Sequence, residues 1–147
     1  MAANDVTVGA VPTYLEGGDP SLSGYFPAWL ANLADDVTIE GSMLNGAVQG
    51  ADAIRSIIAE VRTLYGTSQQ LRYVGPVGDD TFIEDYTAEV GGERLGGVVL
   101  VRSNDTGQTQ HIIASYRPRS AVLTFSRLLG ERFAASAFGA QFSTGSE

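Results

Sequence analysis

One α+β domain, with helices packed across one side of a strongly curved and mostly antiparallel sheet, is predicted from three observations. Ile54, Ile57, Ile58, Val61, Leu64 and Tyr65 recur at three- and four-residue steps and form one apolar helical stripe. β-Rich runs follow, joined by connections too short for parallel crossovers, so neighbouring strands are antiparallel. After Pro118 the helical period returns in Val122, Phe125, Leu128, Leu129 and Phe133. Helices gathered on one side of an antiparallel sheet define the α+β class. A twisted sheet of roughly five or six strands curls, and helices across its concave side enclose a blind cavity.

The elements follow in chain order. Residues 1–9 read as a loose start, and Val11–Leu15 as a short helical segment broken by Glu16-Gly17-Gly18-Asp19-Pro20. Ser21 or Ser23 caps a helix with Pro27 in its first turn. Trp29, Leu30 and Leu33 are its apolar side, and it ends near Asp35. Val37-Thr38-Ile39 is a strand. Ala47-Val48-Gln49 returns from an Asn45-Gly46 turn, a pair suited to the positive φ of a tight hairpin.

Asp52–Tyr65 is the clearest helix, with Asp52 at the positive end of its dipole and Gly66 as its stop. Gln70–Val77, Thr81–Val90, Arg94–Arg102 and Gln108–Arg117 are strands, and Ser120 caps the final helix. Residues 1–133 therefore form the domain, and 134–147, rich in Ala, Ser and Gly, are expected as a flexible tail.

Composition removes several function classes. The chain of 147 residues has a net charge of −8, and its nine Lys and Arg are scattered, which is the opposite of a phosphate-binding surface. Nucleic acid and anionic membranes are not expected partners. With no cysteine, thiolate catalysis and disulfides are excluded, and a single histidine makes a metal site poor. No basic, apolar leader and no membrane-length apolar run is apparent, so the cytoplasm is the expected location. Gly91-Gly92-Glu93-Arg94-Leu95-Gly96-Gly97 lies between strands and opens no helix, so it is not a phosphate loop; no Gly-x-Ser-x-Gly elbow occurs.

Three stretches carry a family likeness: Leu33-Ala34-Asp35-Asp36-Val37-Thr38-Ile39, Gln49-Gly50-Ala51-Asp52-Ala53-Ile54 and Tyr116-Arg117-Pro118-Arg119-Ser120-Ala121-Val122. In their order and spacing, with the β meander between the second and third, the chain resembles the nuclear transport factor two-like superfamily over about residues 11–133. The likeness is to its SnoaL-like and ketosteroid-isomerase-like branch. The resemblance implies a cone with a deep apolar pocket, no cofactor, and dimers formed through the outer sheet face. Relatives isomerise steroids, close polyketide rings, hydrolyse epoxides, or only bind ligands and partner proteins. Many catalytic relatives place an acid on the penultimate strand. Here that position falls near Val99, and no carboxylate lies between Arg94 and Arg102.

Proton transfer needs a titratable group in an apolar wall, where burial raises a carboxyl pKa toward neutrality. Glu84-Asp85-Tyr86 is the best local source. Strand alternation puts Phe82, Glu84, Tyr86 and Ala88 on one face and Ile83, Asp85 and Thr87 on the other, without deciding which face is inner. Glu84 and Asp85 are thus either one inward catalytic carboxylate and its outward neighbour, or ordinary exposed strand acids. His111 shares a face with Ile113, Ser115 and Arg117, and suits either general base work or an interface position. Glu40 reaches either a cavity mouth or solvent, and Arg117 pairs with a carboxylate or a helix end. Tyr14, Trp29, Tyr65, Tyr86, Val99 and Tyr116 are the expected ligand contacts, with Tyr25 and Tyr73 as further aromatic surface; core packing is the alternative. Two functions remain open. One is a cofactor-independent acid–base isomerase, cyclase or hydrolase of a steroid- or polyketide-like compound. The other is a non-catalytic binding or dimeric assembly module with a vestigial pocket.

Overall fold

A computed structural model describes residues 25–142; the expected helix at Val11–Leu15, the cap at Ser21 or Ser23, and Tyr14 lie outside the described residues. The elements are β1 (Leu33–Gly41), β2 (Val48–Gln49), α1 (Ala51–Tyr65), β3 (Gln70–Val77), β4 (Thr81–Val90), β5 (Glu93–Ser103), β6 (Thr109–Arg117) and α2 (Arg119–Arg132). The strands form one six-stranded sheet in the order β2-β1-β6-β5-β4-β3. All neighbours are antiparallel except β1 and β6, which run parallel. The fold is α+β, as the helical and strand periods require.

α1 buries Ile54, Ile57, Val61 and Tyr65, and α2 buries Ala121, Val122, Phe125 and Leu129. They meet an inner sheet face that includes Ile39, Tyr86, Ala88, Val99, Val101, Ile112 and Ala114. Two apolar helix stripes and one apolar sheet face thus remove each other from water, the main favourable term in folding. No helix among the described residues is long and apolar enough to cross a membrane.

Three local expectations are corrected. The helix expected to reach Asp35 is only a 3-10 turn at Ala28–Ala31, and Leu33 and Ala34 already belong to β1. Tertiary hydrogen bonds outweigh the local preference, since Thr109 donates its N–H to the Asn32 carbonyl at 2.8 Å and its hydroxyl to the Trp29 carbonyl at 2.9 Å. The Asn45-Gly46 pair makes no two-residue hairpin, and Gly46 is not among the glycines with positive φ. Its loop is longer and tied elsewhere: Asn45 N–H donates to the Gln141 carbonyl at 2.7 Å, and Ser126 Oγ donates to the Met43 carbonyl at 2.7 Å. Ser120 does not cap α2, which begins at Arg119 behind Pro118.

Within the stretch expected as a tail, residues up to 142 are described and make contacts with the domain. Residues 134–142 turn back on the domain, ending in a 3-10 turn at Gly139–Gln141 and a Phe142 that is 1% exposed. Phe142 stacks on Phe133 with ring centroids 5.8 Å apart. Small residues there allow tight turns, and one phenyl ring supplies the burial that holds them. Phe142→Ala is therefore expected to cost about 3 kcal/mol in denaturant unfolding, the scale of a buried Phe truncation. A cost below about 0.5 kcal/mol, typical of exposed positions, would mean the segment is a frayed end after all.

Candidate functional site

Along β4, Phe82, Glu84, Tyr86, Ala88 and Val90 point inward and Ile83, Asp85, Thr87 and Glu89 outward, as burial alternates with the strand period. This carries a carboxylate into the apolar interior: Glu84 is 4% exposed. In the sheet it lies between Val74 of β3 and Val99 of β5, and Val99 in turn faces Ala114 of β6. The apolar Val99 position therefore has an acid directly beside it, supplied by the neighbouring strand.

Glu84 Oε2 accepts two hydrogen bonds, from Tyr25 Oη at 2.6 Å and Trp29 Nε1 at 2.8 Å. Burial pushes the Glu84 carboxyl above its ordinary range, while the Tyr25 and Trp29 hydrogen bonds and the Arg62 charge pull it back. Arg62, from α1, donates through Nη1 to the Tyr25 carbonyl at 2.6 Å, and its guanidinium lies 5.1 Å from the Phe26 ring centroid.

Beside the carboxylate is a cluster of tyrosine hydroxyls. Tyr65 and Tyr86 Oη atoms are 2.8 Å apart, and those of Tyr86 and Tyr116 are 3.3 Å apart. The backbone explains the convergence. Gly97 is the cross-strand partner of both Tyr86 and Tyr116, and a Cβ there would sit 2.8 Å from Tyr116 Cε1. The missing side chain lets the Tyr116 ring lie across the sheet toward Tyr86. Burial is the main cause that raises the phenol pKa of all three tyrosines, so they stay protonated and can donate.

Trp29, Tyr65, Glu84, Tyr86, Val99 and Tyr116 all line one cavity, along with Tyr25, Pro27, Ile39, Arg62 and Gln69. It contains about 480 Å³ of empty space counting its mouth, of which the centre of a water-sized molecule reaches about 40 Å³. That is room for a few waters. Arg62 and Gln69 were missed from the sequence. Arg62 stands four residues after Ile58 and three before Tyr65, at the edge of the helical stripe, which is the one available signal.

The other two candidate acid–base residues lie elsewhere. Asp85 is on the outer sheet face, where its Oδ1 is buried without a hydrogen-bond partner. His111 is also outward. Its Nδ1 bonds Thr38 Oγ1, and its Nε2 lies 2.9 Å from Glu40 Oε2, so Glu40 serves the outer face and not the cavity mouth. The Arg117 guanidinium lies over Gly96 on that same face. Glu84, Asp85 and His111 therefore do not form one site. Among the described residues no group of three His, Asp or Glu side chains gathers to hold a metal ion.

No protein-family model and no curated relative matches the sequence. Solved structures do match. A bacterial protein with a cystatin-like fold from Silicibacter pomeroyi DSS-3 superposes with a TM-score of 0.67 and 20% identity, over 78% of this chain and 83% of that one. A steroid delta-isomerase from Pseudomonas aeruginosa superposes with a TM-score of 0.65 and 21% identity, over 72% of this chain and 77% of that one. A de novo designed protein with a curved β-sheet gives a TM-score of 0.54 at 18% identity, over 78% and 86%. The chain has a cystatin-like α+β fold.

The raised Glu84 carboxyl has a consequence for stability. The native state holds its proton to higher pH than the unfolded chain, whose carboxyl titrates near its ordinary value of 4.5. Between those two points the native state binds more protons, so stability falls as pH rises. Glu84→Gln is expected to remove that fall, up to one proton's slope of about 1.4 kcal/mol per pH unit. Urea unfolding of both proteins across the range tests this; equal slopes would refute it.

Proposed function

We propose that the cavity takes a small apolar ketone and moves a proton on it, with Glu84 as the acid–base group and the tyrosine hydroxyls as donors to the substrate oxygen. The observation that carries this is a buried carboxylate sharing an apolar wall with hydroxyls that stay protonated. Glu84 takes a proton from the carbon beside the carbonyl. The enolate oxygen so formed accepts a hydrogen bond from Tyr86 or Tyr116, and the Glu84 carboxyl returns the proton at the far end of the conjugated system. Charge and atoms balance without a cofactor. The likeness in fold to a steroid delta-isomerase supports a steroid-like compound as substrate class.

The direct test is the absorbance change as a β,γ-unsaturated ketosteroid becomes the conjugated enone. Glu84→Gln is expected to lower turnover by about 10²–10⁴-fold, the usual share of a general acid–base group. Asp85→Asn and His111→Gln should leave it within a few-fold, since both lie on the outer face. A fully active Glu84→Gln protein would end this reading.

A second reading, a binding or assembly module with a vestigial pocket, is favoured by the narrowness of the cavity. Thermal-shift screening against steroids, polyketide-like aromatics, terpenoid epoxides and fatty acids separates the two, because a ligand stabilises only the state it binds. We also propose a homodimer through the outer face. Its half-buried Ile83, Leu100 and Ile113 stand in cross-strand register, with Val98 adjacent. Leu100→Arg is expected to halve the mass seen by light scattering. A native protein that is already monomeric would rule the dimer out.

A further inference from the structure

We infer that Tyr25–Trp29 are a strap over the cavity and that Arg62 is the positioning residue that latches it onto Glu84. Two donors to the Glu84 carboxylate, Tyr25 Oη and Trp29 Nε1, come from this short segment. The segment itself is held at both ends by side chains reaching to its backbone. Arg62 Nη1 binds the Tyr25 carbonyl at 2.6 Å, and Thr109 Oγ1 binds the Trp29 carbonyl at 2.9 Å. Arg62 adds a cation–π contact to Phe26, at 5.1 Å from the ring centroid. Pro27, between the two anchors, lines the cavity in an extended conformation.

The strap couples entry to chemistry, an inference that rests on reading Glu84 as the proton-transfer group. With about 40 Å³ reachable by water-sized molecules, a ring system enters only if the strap moves aside. Moving it withdraws both hydrogen bonds from Glu84 at once and leaves the carboxylate in an apolar wall, where it is a stronger base. Among the described residues, the groups facing Glu84 include Tyr25 and Trp29 from the strap, Arg62 from α1, and the Tyr65–Tyr86–Tyr116 hydroxyls beyond. Its cross-strand neighbours on β3 and β5, Val74 and Val99, are apolar. Arg62 is the cation of the set. It acts on Glu84 twice, through its charge and by fixing the segment that carries both donors.

Trp29 is the only tryptophan in the chain, so its fluorescence reports this contact directly. The experiment is a pH titration of emission on the full-length, substrate-free protein. The native protein should show one transition, and Glu84→Gln should lose it. Arg62→Gln should move the midpoint to higher pH and shift the emission to the red as the strap loosens. Arg62→Lys, which keeps a cationic donor, should stay near the native midpoint. Circular dichroism checks the fold. If Arg62→Gln is unfolded, Tyr25→Phe, which removes one donor, should raise the midpoint in its place. The inference is overturned if Glu84→Gln keeps the transition, or if the folded Arg62→Gln or Tyr25→Phe protein titrates like the native one. Since no substrate is present, a shifted titration with no turnover would sink only the catalytic reading. Turnover with an unshifted titration would sink only the latch.

Discussion

The interior of this protein is organised around a carboxylate that the strand period forces inward. Once Phe82, Tyr86 and Ala88 face the helices, Glu84 must face them too, because alternate residues of a strand share a face. An unpaired charge there would cost several kcal/mol, so its surroundings have to answer it. They do so from two directions, with hydrogen bonds from Tyr25 and Trp29 and positive charge from Arg62. The segment before β1 is drawn over the cavity mouth as a result. The 3-10 turn at Ala28–Ala31 lies where a longer helix would have carried Trp29 along a different path.

The tyrosine cluster follows from a second local constraint. A glycine at position 97, opposite both Tyr86 and Tyr116, is what allows their hydroxyls to meet above the sheet. α1 contributes Tyr65 from its last turn, and Phe125 of α2 packs against Tyr65 and Tyr116 with ring centroids 5.9 and 5.1 Å away. Hydroxyls held by aromatic packing are preorganised donors, since little has to move when charge develops nearby. Carboxylate and hydroxyls occupy one wall. The two sides of the sheet thus divide the labour of the polar residues: the inner face concentrates Glu84 and the tyrosines, and the outer face holds Asp85 and the His111, Thr38 and Glu40 set.

The architecture was legible because it is written in periods. The stripe from Ile54 to Tyr65 and the four strands from Gln70 to Arg117 match their observed bounds within a residue or two. The same periods paired Glu84 with Tyr86 and separated both from Asp85. What misled was local propensity acting without a partner in view. Pro27 and Trp29 read as the start of a helix, and Asn45-Gly46 as a hairpin turn. Both were overruled by a contact from far along the chain: Thr109 on the Trp29 and Asn32 backbone, and Gln141 on Asn45.

By itself, then, the amino-acid order determined that the chain is α+β, which residues share each strand face, and that Glu84 and Asp85 cannot serve the same site. These are consequences of backbone geometry, repeated every two or 3.6 residues, and need no knowledge of what lies across the core. Only the tertiary structure decided which β4 face is inner. It also decided that the acid sits beside Val99 and not at it, that His111 belongs with Glu40 outside, and that Arg62 touches the strap. Those facts depend on which strands become neighbours and on side chains meeting across long stretches of chain. Packing settles such matters collectively, and no local pattern encodes them.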